Sequence, residues 1–212
     1  MSKNAILFDL DGTLWDASAV VSRVWTETIR ANGLPNFLLT AKGIRAQMGK
    51  TMNAIGESLM PEVEPSERRR LMDMACEAEN RAVWKEGGIL YPRLEETLQT
   101  LSPLYTLAIV SNCQDGYIEA FLHAHDLAAY FTDIQSGGND CSKGYNIRLV
   151  MERNGIDRAV YIGDTARDQS AAQEARVPFI HASYGFGIAH EPDGVLTSIS
   201  ELPGMIPSFF SA

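Results

Sequence analysis

The chain has 212 residues, 45% of them hydrophobic and 21% charged, with a formal net charge of −9. That length supports one good core, or a core with a small insertion. The acidic balance argues against a nucleic-acid partner, since the only basic cluster, Arg68-Arg69-Arg70, sits beside Glu64 and Glu67 and reads as a solvated face.

Residues 5–8 are apolar and run into Asp9-Leu10-Asp11-Gly12-Thr13, which predicts a buried strand over about 5–10. Alternation along that strand puts Asp9 and Asp11 on one face, and Gly12 permits a sharp exit. Two carboxyls held this close repel unless a cation lies between them or one keeps its proton. A divalent metal, a nucleophile beside a protonated acid, or both, stay open at this point, as does a plain Asp-Gly turn. From about 16 to about 87 there is no strand signal. Residues 19–32 carry an apolar stripe that stops at Asn32-Gly33, and residues 41–59 are helix-forming but contain Gly43, Gly49 and Gly56. A third helix starts at Pro65-Ser66-Glu67, with Ser66 as candidate N-cap, and runs to about Lys85. Beyond Gly87-Gly88, strand-like runs at 107–110, 131–136, 159–162 and 179–182 alternate with amphipathic helical stretches at 93–101, 117–125, 146–154 and 168–175. This alternation predicts an α/β fold, a Rossmann-like parallel sheet with helices on both faces. Residues 1–15 and 88–212 would form the core, and 16–87 a helical insertion. Cys76, Cys113 and Cys141 show no metal-ligand spacing and no disulfide framework. No leader or membrane-length apolar run stands out, so a cytoplasmic protein with no membrane partner is expected.

In open parallel sheets, ligands bind at the carboxyl ends of the strands, and polar residues gather there in this chain. They are Asp9 and Asp11, then Ser111-Asn112, then Lys143 in Cys-Ser-Lys-Gly, then Gly163-Asp164-Thr165-Ala166-Arg167-Asp168. Each has an ordinary structural reading on its own: a strand-to-helix cap at Ser111-Asn112, a surface lysine at 143, an N-cap and first-turn acid at Asp164 and Asp168. Together and in this order they resemble the haloacid dehalogenase-like hydrolase superfamily over the whole chain. The Asp-x-Asp-Gly-Thr start, the serine, the lysine and the Gly-Asp-x-x-x-Asp segment match its four signature motifs.

The resemblance implies a Mg2+-dependent phosphatase acting on a small phosphorylated metabolite. By it, Asp9 is the nucleophile that forms an aspartyl-phosphate and Asp11 is the general acid and base. Mg2+ is held by Asp9, Asp164 and the backbone carbonyl of Asp11. Lys143 and Ser111 stabilise the phosphoryl group, helped by backbone N–H groups near Asn112 and Gly12, while Asp168 orients either the metal's water shell or Lys143, with Thr13 also behind the site. An aspartate at position 11 separates the chain from the dehalogenases, whose halide leaves without a proton. Residues 16–87 match the family's helical cap in place and size, and Lys50, in Gln47-Met48-Gly49-Lys50-Thr51, is its candidate substrate contact; Trp15 and Trp25 are candidates to line the cleft. Ser183-Tyr184-Gly185-Phe186-Gly187 resembles a loop of the phosphoglycolate-phosphatase-like members. Gly144 stands where proline often follows the motif lysine. A phosphomutase similar to β-phosphoglucomutase, and a non-catalytic binding protein on the same fold, are the alternatives. The sequence leaves the oligomeric state open.

Overall fold

The computed structural model describes residues 3–139 and 141–211. The first strand, β1 (Asn4–Phe8), is followed by a two-residue strand β2 (Trp15–Asp16) and four helices, α1 (Ser18–Ala31), α2 (Ala41–Arg45), α3 (Met52–Leu59) and α4 (Pro65–Glu86). A second two-residue strand, β3 (Ile89–Leu90), pairs antiparallel with β2 and closes the base of this helical insertion. Then come α5 (Leu94–Leu101), β4 (Thr106–Val110), α6 (Tyr117–Ala124), β5 (Asp133–Gln135), α7 (Lys143–Arg153), β6 (Arg158–Gly163), α8 (Ala166–Ala175), β7 (Phe179–Ala182) and β8 (Gly194–Leu196).

Six strands form one parallel sheet in the order β5-β4-β1-β6-β7-β8. The order reverses at β1, which is flanked by β4 and β6, so the carboxyl end of β1 lies at the crevice where such sheets bind ligands. Alternation along β1 feeds two cores: Ile6 and Phe8 join the layer that includes α1, α5 and α6, and Ala5 and Leu7 join the layer under α7 and α8. Both faces of β1 are therefore dry, as its unbroken apolar run requires.

Three local readings change. The first strand ends at Phe8, and the chain turns at once, with the Leu10 carbonyl accepting from Thr13 N and Leu14 N. Asp9 and Asp11 thus lie on a turn beyond the strand, and strand alternation does not set where they point. The N-cap of α4 is Glu64, whose carboxylate accepts from Ser66 N; Pro65 takes the first helical position, which a residue without an N–H fills at no cost, so Ser66 lies inside the helix. The stretch 41–59 splits into α2 and α3 around Gly49, which sits at φ +78°, a backbone conformation that favours glycine. β8 had no recognisable sequence signal.

Candidate active site

The site is built at the ends of three neighbouring strands. Asp9 follows β1, Ser111 follows β4, and Asp164 follows β6. Lys143 opens α7, where Ser142 caps the helix by accepting from Tyr145 N. The lysine is buried, and its ammonium donates to Asp9 Oδ1 at 2.8 Å and to Asp168 Oδ1 at 2.7 Å. Its side chain also lies over the Tyr161 ring, 5.9 Å from the centroid.

Asp168 is held from the other side. Thr165 caps α8 in a reciprocal box: Asp168 N donates to Thr165 Oγ1, while Thr165 N and Oγ1 donate to Asp168 Oδ2. Both oxygens of Asp168 are therefore committed, one to the lysine and one to the cap, and the cap of this helix is Thr165 rather than Asp164.

Asp164 is free for another task. Its Oδ2 accepts from Phe186 N at 2.7 Å, its carbonyl is 3.0 Å from His181 Nε2, and its Oδ1 is buried without a hydrogen-bond partner among the described residues. An orphaned buried carboxylate oxygen is costly unless something positive meets it. Asp9, Asp164 and Asp168 bring carboxylate oxygens within 4.8 Å of one another. Hard oxygen donors at this spacing suit a Mg2+ ion, with Asp9 and Asp164 supplying the uncommitted oxygens.

The electrostatics carry the same sign. Burial, then the Asp168 charge, push Asp9 up to about 6 against the pull of Lys143. Burial, then the charges of Asp168 and Asp9, push Asp164 up to about 8. Burial works against the Lys143 ammonium, but Asp168 and Asp9 outweigh it and hold the lysine well above its usual range.

Asp11 goes elsewhere. Its Oδ1 accepts from the Tyr117 hydroxyl at 3.1 Å, and burial, then Asp9 and Glu79, push its carboxyl well above the usual range. The two acids of the opening motif are thus split, Asp9 toward Lys143 and the acidic cluster, Asp11 toward α6. Gly12 makes the split possible. It sits at φ +82°, and a Cβ there would stand 2.6 Å from Asp164 Cγ. Thr13 is buried beneath; its carbonyl accepts from the Tyr184 hydroxyl at 2.9 Å, while its Oγ1 has no partner among the described residues.

Asp9, Asp11, Lys143, Ser111 and Asn112 line one cavity of about 50 Å³, whose far wall comes from the insertion: Val21, Trp25, Met48, Lys50, Ile55 and Glu79. A volume of this size holds a few water molecules. The insertion is latched down over it. Asn112 Nδ2 donates to the Gly49 carbonyl at 3.1 Å, and Arg45 pairs with Asp16, donates from its Nε to Ser18 Oγ at 2.9 Å, and lies over the Phe186 ring. Lys50 is on the cavity wall, but its ammonium donates to Gln47 Oε1 at 2.7 Å and to Ser58 Oγ at 3.4 Å. Trp25 lines the cavity, whereas Trp15 is packed against Tyr117 and Phe121. Sequence reasoning missed Tyr117, Thr165 and Glu79. The Thr-x-x-Asp spacing was a legible capping signal for Thr165; Tyr117 and Glu79 sit on helices whose pattern reveals only which face is apolar.

Residues 6–182 match the family model described as haloacid dehalogenase-like hydrolase. The chain is 29% identical over 215 residues to a phosphoglycolate phosphatase from Vibrio vulnificus, covering 93% of each. Its fold superposes with a TM-score of 0.82 on a predicted phosphoglycolate phosphatase from Haemophilus somnus, at 18% identity, covering 97% of this chain and 99% of that one. It also superposes with a TM-score of 0.78 on CbbY from Rhodobacter sphaeroides, solved in complex with phosphate, at 21% identity and covering 95% and 96%.

Proposed function

This chain belongs to the haloacid dehalogenase-like hydrolase family, and from that premise we propose that it is a Mg2+-dependent phosphatase that hydrolyses a small phosphorylated metabolite through an aspartyl-phosphate on Asp9. The observation that carries this reading is the division of the two acids: Asp9 is ion-paired with Lys143, and Asp11 is turned to the Tyr117 hydroxyl on the cavity side. Environments that separate two neighbouring carboxyls assign one as the charged group and the other as the proton carrier.

A carboxylate oxygen of Asp9 attacks phosphorus as the bond to the leaving oxygen breaks, and the Asp11 carboxyl gives that oxygen its proton. Asp11, now ionised, takes a proton from water as the water oxygen attacks phosphorus and the bond to Asp9 breaks. Inorganic phosphate leaves, and both acids return to their starting states. Lys143 holds Asp9 in place and offers positive charge to the phosphoryl oxygens, and the Ser111 hydroxyl lies on the same wall to donate to them. Mg2+, held by Asp9, Asp164 and the Asp11 carbonyl, would offset the repulsion between the phosphate and the attacking carboxylate. Asp168 orients Lys143. Residues 16–87 act as a cap that excludes water and shapes the leaving-group end of the cavity.

Because the Vibrio vulnificus relative is named a phosphoglycolate phosphatase, 2-phosphoglycolate is the first ester to assay. Asp9→Asn removes both nucleophile and charge and is expected to lower phosphate release by at least about 1,000-fold, with no acid-stable phosphoprotein formed from labelled substrate. Substantial residual turnover by that variant would refute the covalent route.

A further inference from the structure

The insertion side of the cavity carries an acid that phosphoryl transfer does not use. Glu79 lies in α4, is 4% exposed, and lines the same cavity as Asp9, Asp11 and Lys143. Its Oε2 accepts two hydrogen bonds, from the Trp25 indole N–H at 2.7 Å and from Gln114 Nε2 at 3.1 Å. Its Oε1 accepts none among the described residues. Neither cation of the cavity is committed to it. Lys143 is held between Asp9 and Asp168, and Lys50 donates to Gln47 and Ser58.

Buried acids are retained when they are hydrogen-bonded or paired. Two donors on one oxygen fix the plane of this carboxyl and leave the other oxygen unpaired on a wall that is apolar at Val21, Ile44, Met48, Met52 and Ile55 and also carries Lys50. The cavity is about 50 Å³, small enough to favour a short leaving group. Binding pockets of this kind use a few placed polar groups to choose among ligands of similar size.

Building on the phosphatase reading above, we propose that Glu79 selects the substrate by its leaving group: a short phosphomonoester whose leaving alcohol carries a hydrogen-bond donor, a hydroxyl or an ammonium, that bonds to Glu79 Oε1. A carboxylate-bearing leaving group offers Oε1 no such donor. Glu79→Gln changes this directly. With the amide oxygen accepting from Trp25, the amide nitrogen faces the cavity, and the acceptor becomes a donor.

The test is kcat/KM with Mg2+ at pH 9, where Glu79, raised by burial to about 8, is ionised and Oε1 accepts, for four esters of matched size, 2-hydroxyethyl phosphate, 2-aminoethyl phosphate, ethyl phosphate and 2-phosphoglycolate, on the native chain and on Glu79→Gln. The expected result is that at least one of the first two exceeds both others by about 10-fold or more, the better of them showing which donor is read. Glu79→Gln should erase that preference and improve 2-phosphoglycolate relative to the donor-bearing esters. A native preference for 2-phosphoglycolate or ethyl phosphate would overturn the proposal. So would a parallel loss on all four esters in the variant, which would reduce Glu79 to a brace for Trp25. If the native chain hydrolyses none of the four, nor p-nitrophenyl phosphate or acetyl phosphate, the phosphatase reading falls and the proposal with it; turnover of those two alone overturns only the proposal.

Discussion

Lys143→Met is the sharpest perturbation of the buried cluster of Asp9, Lys143 and Asp168, because it removes one charge and keeps most of the volume. The native ammonium makes two buried ion pairs, at 2.8 Å to Asp9 and 2.7 Å to Asp168, with its side chain 4% exposed. Removing one partner of a buried pair costs about 3–5 kcal/mol, since the remaining charge is left uncompensated. The lower end applies here. Asp168 keeps its bonds from Thr165 N and Oγ1, and Asp9, already pushed up to about 6 with the lysine present, can take a proton. A loss of about 3 kcal/mol at pH 7 is expected, a fall in Tm of roughly 6–12 °C for a chain of this size. Without the ammonium the Asp9 pKa rises further. The penalty belongs to its ionised form, so it is largest at pH 8 and shrinks as the pH falls through that raised value. Urea unfolding in chelator at pH 5 and pH 8, then with added Mg2+, measures each part. Mg2+ should recover some stability, because a cation bound by Asp9 and Asp164 replaces the missing charge, while turnover stays lost. A destabilisation under about 0.5 kcal/mol, the range of an ordinary surface change, or one independent of pH, would refute Lys143 as the counter-charge of this cluster.

Three other outcomes are expected. Asp11→Asn should impair alkyl phosphates more than p-nitrophenyl phosphate, whose leaving group needs no proton, and equal loss on both would remove Asp11 from proton transfer. Gly12→Ala should cost about 1–3 kcal/mol of backbone strain at φ +82° and weaken Mg2+ binding, because the new Cβ would stand 2.6 Å from Asp164 Cγ; unchanged Mg2+ affinity by calorimetry would contradict that geometry. Burial raises Glu79 from 4.5 to about 8, so its contribution to stability is fully present below pH 4.5 and is lost as the pH rises to about 8. Glu79→Gln should therefore flatten the fall in stability between those pH values by up to a few kcal/mol, and parallel unfolding profiles for the two chains would show that the group does not titrate in that window.

The parallel sheet was legible because its strands are short apolar runs with polar residues at one end, and burial on both faces leaves little else for such runs to do. The neighbourhood of the proposed site was legible for the same reason: Asp9, Ser111 and Asp164 each follow a strand directly, so chain order alone brought them together. Asp11 shows the limit. Strand alternation placed it beside Asp9, but the strand stops at Phe8, and the direction of Asp11 depends on a turn through Gly12 and on the Tyr117 hydroxyl, 106 residues away in the chain. The chemistry expected of the pair depends on that divergence. Two acids sharing a face would compete for one cation, whereas two acids with separate partners can hold different protonation states.

The same reasoning explains why the insertion was the least readable part. An amphipathic helix announces its apolar face, and α4 buries Leu71, Met72, Ala75 and Val83 as its pattern requires. Glu79 is buried among them, on the face where an acid is least expected. Its burial depends on Trp25 in α1 and Gln114 ahead of α6, residues that only the folded chain brings together. The cavity consequently has two unequal ends. Asp164 and Asp9 offer oxygens to a cation at the sheet, and Glu79 offers one to a donor at the insertion, while the lysines are committed to other partners. On the proposal above, a ligand that satisfies both ends would carry its phosphoryl group toward the first and a hydroxyl or ammonium toward the second, with the sheet setting the reaction and one helix of the insertion choosing the ester.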